Sequence, residues 1–537
     1  MDRRIFVRGL GAAISLGPLT LASSLARCKT GEVRNAHLIR INPKFMITAG
    51  EARAWHVAKD SLGGPTFSGS PSWKSFLALA EKELRARGVV DIFRNAWTYE
   101  RWFTSEWPDD SKWSLHLGGK KVPVASYGAY SGMTPEEGVT APLAVYQQGM
   151  APGAMRGKIV VIPAGQREPA GERPASEAAR PGAAYSAERA LRGDYEYLSD
   201  ASTFPNPLAP RSVGGRASPF GKMAVGSFVR ILQEGGALGM LFVIDLSYQA
   251  LSGTYNFGVP KRYDTPTLLL DRSAGAQVLA AARQGKTATL RLIAQTEDAE
   301  TYQLFGYLPG RNYGKPDDEQ LMLITHTDGP SISQENGALG ILGMVHYLSK
   351  IPQAERPRTL LIFLDNRHYM PGAELAFKEQ DYASKHPEIY RRIVAAMGIE
   401  HLGQMEHLDE PGKPLHPSGL VELSTVWISN NSRLVDLAIK CVKQNGLKRV
   451  QVQCPGRPGI HGGAQGPWYG LGGIARRLRV PGASTMGSMT AYWSTKARID
   501  AFDANHFVTQ VATMSQIAGE LMVGDMAQFR AQESSAG

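Results

Sequence analysis

Apolar and polar positions follow recognisable periods along most of this chain. Residues 71 to 88, PSWKSFLALAEKELRARG, place apolar residues at helical spacing, with Ser70 positioned to cap the helix and Gly88 to stop it. From about 119 to 299 the pattern turns to short strands and turns. GVTAPLAVY and IVVIPAG read as strands, and SFVRILQEGGALGMLFVID reads as a helix, a Gly break and a buried strand. PTLLLDRSAGAQVLAAARQGKTATLRL reads as strand, helix and strand. Residues 166 to 219, rich in Pro, Ala, Arg, Gly and Ser, read as a long solvated loop. From 300 onward strand and helix alternate. LMLITHTD, ALGILGMVHYLSKI and TLLIFLDN come first, then helices near 372 to 380 and at 387 to 396. A strand ending at Glu400-His401 and a last unit from Gly470 to Met522 follow. Continuous apolar strands alternating with helices predict an α/β fold, its mainly parallel mixed sheet sandwiched by helices.

Length changes this picture first. At 537 residues the chain is too long for one ordinary domain. Its 43% hydrophobic and 20% charged residues are ordinary for a globular protein. The net charge of +10 raises nucleic acid as a partner. The Lys and Arg are scattered, however, and the densest cluster after the first ten residues, Arg476-Arg477-Leu478-Arg479, has no interleaved aromatics, so no nucleic-acid partner is expected. The first residues, MDRRIFVRGLGAAISLGPLTLASSLARC, look like a twin-arginine export signal over 1–27, with a small-x-small cleavage site at Ser24-Leu25-Ala26. Periplasmic or secreted localisation is the expectation. Leu25-Ala26-Arg27-Cys28 is a poor lipoprotein box, because Arg precedes the Cys, and lipid anchoring at Cys28 is disfavoured. No later run is long and apolar enough to span a membrane. Cys441 and Cys454 admit either a bridge or two buried thiols, and no Cys-x-x-Cys suggests a thiolate zinc site.

The richest stretch for chemistry is LMLITHTDGPSISQENGALG, residues 321 to 340. A strand-like run ends directly in His326-Thr327-Asp328, and Glu335 follows in a Gly-bounded loop. A strand that runs out into a His, an Asp and a nearby carboxylate is suited to planting metal ligands at the carboxyl edge of a sheet. No G-x-S-x-G elbow supports a serine hydrolase. The glycines of GIHGGAQG and GLGG do not follow a strand-to-helix phosphate-loop pattern.

The order and spacing of these residues resemble the M28 family of zinc aminopeptidases. The resemblance covers most of the chain, with an M28-like domain over 35–118 plus 300–525. The region 119–299, with its Arg-Gly-Lys-Ile-Val-Val strand and its final Pro-Thr-Leu segment, resembles an inserted β-rich protease-associated domain carrying the loop at 166–219. Carried over position by position, the resemblance makes His326 a metal ligand and Asp328 the aspartate that orients it. It puts Glu335 at the metal-bridging carboxylate and Glu400 at the remaining first-metal carboxylate. Where the family has Glu-Glu after a strand, this chain has Arg367-His368. His368 is competent to ligate zinc, whereas Arg367 is no base and would instead hold an anionic group. The family's terminal histidine falls at Tyr492-Trp493, and Trp cannot ligate a metal. Trp468 stands near another altered family motif, and Trp468, Tyr492 and Trp493 are expected as substrate-pocket residues. A single zinc held by His326, Glu335, His368 and Glu400 is therefore implied, with the second metal site in doubt. Glu335, Glu400 or His401, whichever is not on the metal, is the expected base.

Two functions remain open at this point. One is an exported, metal-dependent hydrolase of peptide or other amide bonds. The other is an inactive homologue that binds peptides or glycans, favoured by the missing Glu base and last His. The residues do not specify the substrate or the oligomeric state.

Overall fold

The apolar runs from 300 onward pair at the centre of a nine-stranded sheet. The protein is described here from a computed structural model, which describes residues 36–163, 196–203, 225–255, 262–371, 381–454, 468, 470–487 and 494–530. The export signal, the helix expected near 372 to 380, most of the 166–219 loop, Tyr492 and Trp493 lie outside the described residues.

Across the sheet the strands run Val90–Phe103, Gln295–Leu308, Thr359–Asp365, Gln320–His326, Ile393–Ile399, Gly482–Gly487, Ser424–Ile428, Val450–Gln453 and Tyr197–Leu198. The four from Thr359–Asp365 to Gly482–Gly487 are parallel, and antiparallel strands flank them. Each of these four is buried along its whole length except for one half-buried residue, Val394. That is why they read as unbroken apolar runs rather than as alternations. Helices Pro71–Ala86, Gly337–Ser349 and Ala504–Val523 contribute Trp73, Leu339, Tyr347, Phe507 and Ile517 to the core they share with the sheet. On the other face, Phe305, Met322, Phe363, Trp427 and Trp468 form a second apolar layer.

The helix expected at 387 to 396 is instead a short 3-10 turn, Tyr390–Arg392, followed by the strand Ile393–Ile399. Ala395-Ala396-Met397 favour helix locally. The segment nevertheless sits between two strands and satisfies its backbone on both sides, and this outweighs propensity. Cys441 and Cys454 are buried in the main core and are not bridged.

A second, eight-stranded sheet holds residues between Trp113 and Leu292. Two 14-residue strands, Val90–Phe103 and Gln295–Leu308, pair with each other and lead into and out of it. The two parts meet through an aromatic cluster in which Tyr255 packs against Phe67 at 3.9 Å and against Tyr369 at 5.5 Å between ring centres. Arg272 reaches across to Asp409 at 2.8 Å, and Lys496 Nζ donates to Gln249 O at 3.0 Å. No described helix is long and apolar enough to cross a membrane.

Candidate metal centre

The parallel centre brings three chain segments to one edge. His326 pairs with Asp365, and Ile324 with Gly398, so the residues that follow each strand leave the sheet side by side. Glu400, two positions beyond Gly398, thereby reaches the level of His326, and Glu400 Oε2 lies 3.0 Å from His326 Nε2. His401 Nε2 lies 3.7 Å from the same carboxylate oxygen. The donor atoms of His326, Glu400 and His401 all lie within 4.8 Å of one another, and all three residues are buried. The His368 ring packs on His326 with centroids 3.9 Å apart. His401, one of the three candidate bases in the sequence, lies beside His326 and Glu400 in this group. It holds a left-handed backbone, φ 59°, a conformation that non-glycine residues adopt at a cost and that recurs at functional sites.

The turn that supports Glu400 is built for it. Leu471 N donates to Glu400 Oε1 at 2.8 Å. Gly470 sits at φ +67°, and a Cβ there would overlap the same carboxylate oxygen. Trp468 packs in the apolar layer, and its ring would meet any Cβ at Gly472. It is thus a support beneath this turn.

Burial governs the protonation of the group. It pushes His326 down to about 3, and His368 and His401 well below the ordinary range, so the imidazoles are neutral. It pushes Glu400 up to about 7 against the opposing pull of the Leu471 N–H. His326 Nδ1 and both oxygens of Glu335 are buried without a hydrogen-bond partner of normal geometry among the described residues. Neutral imidazoles and a carboxylate, dehydrated and crowded together, are the donor set a divalent cation such as zinc takes, and its charge would reverse the penalty on the carboxylate. The residues fit a metal.

Glu335 does not reach that cluster among the described residues. Its carboxylate lies against Gly329, where a Cβ would overlap Oε1. Burial raises its proton affinity well above the usual range, and the charge of Lys59 opposes this. Lys59, from the helix Ala49–Asp60, is itself buried and donates to Ser331 O at 2.9 Å, inside the loop that carries Glu335. Ala52, His56 and Lys59 are the buried residues of that helix. Their i, i+4, i+7 spacing is the one sequence signal that would have found Lys59 and His56. Asn336 ties the Glu335 loop to the Glu400 loop: its Nδ2 donates to Leu402 O at 2.6 Å, and its Oδ1 accepts Leu402 N at 3.0 Å. His56 Nε2 lies 3.1 Å from the same amide.

Two residues take up other work than the resemblance implied. Asp328 accepts the main-chain N–H groups of His368 at 3.1 Å and Tyr369 at 2.6 Å, so it aligns the His368 turn rather than the His326 ring. Arg367 folds back on Asp365, with Nη2 at 2.6 Å and Nε at 2.8 Å, and is held a second time by Asp381 at 3.7 Å. Its guanidinium is thereby committed inside the protein.

Comparison with solved structures agrees with this architecture. The chain is similar to a peptidase M28 precursor from Shewanella amazonensis, with a TM-score of 0.58 and 14% identity over 89% of this chain and 95% of that one. It is similar to an aminopeptidase from an Aneurinibacillus species, with a TM-score of 0.54 and 14% identity over 93% and 98% of the two chains. A zinc aminopeptidase from Bacillus subtilis gives a TM-score of 0.52 and 11% identity over 90% and 98%. The fold is that of the M28-type aminopeptidases. No family model matches the sequence, and no curated relative matches it either. Within the M28-type fold, the cluster of His326, Glu400 and His401 sits at the carboxyl edge of the parallel strands.

Replacing Gly329 with Ala is expected to cost about 1–3 kcal/mol through overpacking against Glu335. Thermal unfolding checks the cost. Any metal held by His326, Glu400 and His401 should be retained, because the donor cluster is untouched.

Proposed function

We propose that this protein is an exported, zinc-dependent hydrolase of peptide or other amide bonds, working with one metal ion. The observation that carries this reading is the convergence of His326, Glu400 and His401, buried and within 4.8 Å of one another, with His368 against them. His326, His401 and Glu400 would hold the ion, and His368 would complete or flank the set. A bound zinc ion supplies Lewis acidity toward an amide carbonyl and toward water. Glu335 is then the carboxylate left for proton transfer: it lies outside the donor cluster, and burial gives its oxygens a raised proton affinity. It would accept a proton from water at Oε and deliver it to the leaving amine. Asp328 fixes the His368 turn, and Asn336 fixes the spacing of the Glu335 and Glu400 loops. Export rests on Arg3-Arg4 and the apolar run after them. The region 119–299 is proposed as a protease-associated domain whose aromatic edge walls the approach to the site.

The test is elemental analysis of the purified protein beside His326→Ala and Glu335→Gln, with a panel of aminoacyl-anilide and peptide substrates. About one zinc per chain, lost in His326→Ala, is expected. Glu335→Gln should keep the zinc and lose turnover. A folded protein that binds no zinc and cleaves nothing would overturn the reading and leave a peptide- or glycan-binding protein on a peptidase fold.

A further inference from the structure

A groove lies at the opposite edge of the sheet, at the amino ends of the strands. It has a volume of about 410 Å³, and its polar lining is Glu319, Arg358, Arg391, Arg479, Asp525 and Arg530. We propose that this groove is a second ligand site, for a small phosphate-bearing anion, independent of the hydrolytic reading.

The charges in the groove are unequal in their commitments. Arg358 is fully occupied: it pairs with Glu319 at 2.7 Å and donates to the carbonyls of Leu521, Met522 and Gly524 at 2.7 to 2.9 Å. It cancels Glu319 and anchors the wall. Asp525 caps the helix Met526–Phe529, accepting Ala527 N at 3.0 Å. Arg391, Arg479 and Arg530 form no ion pair among the described residues, yet all three line one groove. Three guanidinium groups against one uncancelled carboxylate leave a net positive site. Like charges gathered in one groove repel, by about 1 kcal/mol per close pair in water, and an anion relieves that.

Their backbones are held in place, with the side chains exposed to the groove. Arg391 lies in the 3-10 turn that enters Ile393–Ile399. Arg479 holds a left-handed backbone, φ 56°, at the end of the helix Gly473–Leu478, a place where glycine is usual. Arg530 is tied down by Asn431 Nδ2, which donates to its carbonyl at 2.8 Å. Arg476 and Arg477, exposed on the helix that leads in, extend the positive field. The cluster that stood out in the sequence thus has a place. Guanidinium groups in this arrangement favour a tetrahedral dianion, which accepts paired N–H donors. Ile393, Val394, Val480 and Pro481 give the groove an apolar flank, suited to a phosphate ester with a compact apolar body.

The probe is inorganic pyrophosphate, titrated calorimetrically into the full chain at low salt. Saturable one-to-one binding is expected, weakened about tenfold in Arg391→Gln and in Arg479→Gln and abolished in Arg391→Glu. Zinc content and turnover should be unchanged in all three. Binding that survives the double Arg391→Gln/Arg479→Gln variant overturns the proposal, as does no binding at all. Cosedimentation with phosphatidylglycerol vesicles but not phosphatidylcholine vesicles, without pyrophosphate binding, also overturns it and makes the groove a membrane-surface contact.

Discussion

Replacing Glu400 with Gln is expected to abolish the proposed zinc binding while leaving the protein folded. The side chains are the same shape, and the amide oxygen still accepts the Leu471 N–H that holds Glu400 Oε1 at 2.8 Å. What disappears is the only negative charge among the clustered donors, since His326 and His401 are neutral in this buried setting. A unit charge next to a cation in a partly desolvated site is worth on the order of 4 kcal/mol, roughly a thousandfold in affinity. Zinc measured by elemental analysis after dialysis should fall from about one per chain to background. The proposed amide hydrolysis should fall with it. The unfolding midpoint in the presence of a chelator should stay near the parent's or rise, because Glu400, whose carboxyl is pushed up to about 7, no longer carries a buried charge. Full zinc retention in this variant would show that the ligands lie elsewhere.

Replacing Lys59 with Met is expected to lower stability in a pH-dependent way. Lys59 is buried, and its ammonium pulls the Glu335 carboxylate back toward its charged form. Where Glu335 is ionised, its charge is left without the opposing ammonium at a cost of about 1–3 kcal/mol, part of which is offset because burial itself penalises the Lys59 charge and pushes it down to about 8. The Ser331 carbonyl also loses its donor. Urea unfolding should show the loss, and Lys59→Met/Glu335→Gln should recover much of it, since the stranded carboxylate is then gone. The pH dependence has a definite sign. The folded Glu335 carboxyl binds its proton more tightly than the unfolded one, whose pKa is 4.5. Stability tied to it is therefore present below pH 4.5 and declines as the pH rises above that value. The Lys59→Met deficit should widen as the pH rises through the raised pKa of the folded Glu335, where the carboxylate ionises. A deficit that is constant with pH and is not relieved by Glu335→Gln would mean that Lys59 acts through packing alone.

The two variants separate two roles within one site. Glu400→Gln acts on the donor cluster and leaves the Lys59 loop intact. Lys59→Met acts on the loop that positions Glu335 and leaves the donors in place.

Much of this was legible in the sequence, for a physical reason. A parallel strand buried on both faces must be apolar throughout, so the runs ending at His326, Asp365 and Ile399 announced themselves, and with them the sheet and the segments that leave its edge. His326 and Glu335 stood out because they follow such a run, and the family resemblance added His368 and Glu400. Other features depend on contacts between distant segments, which periodicity does not encode. Local composition pointed to helix at 387 to 396, and only pairing on both sides made it a strand. Asp328 and Arg367 were assigned by position, but side-chain direction turned one to the main chain of His368 and Tyr369 and the other to Asp365. Lys59 lies more than 270 residues from the loop it serves, bonded to Ser331. The sequence by itself determined the layers and the edge where chemistry gathers. The tertiary structure decided which side chains meet there, because a donor cluster is a matter of strand register and loop return.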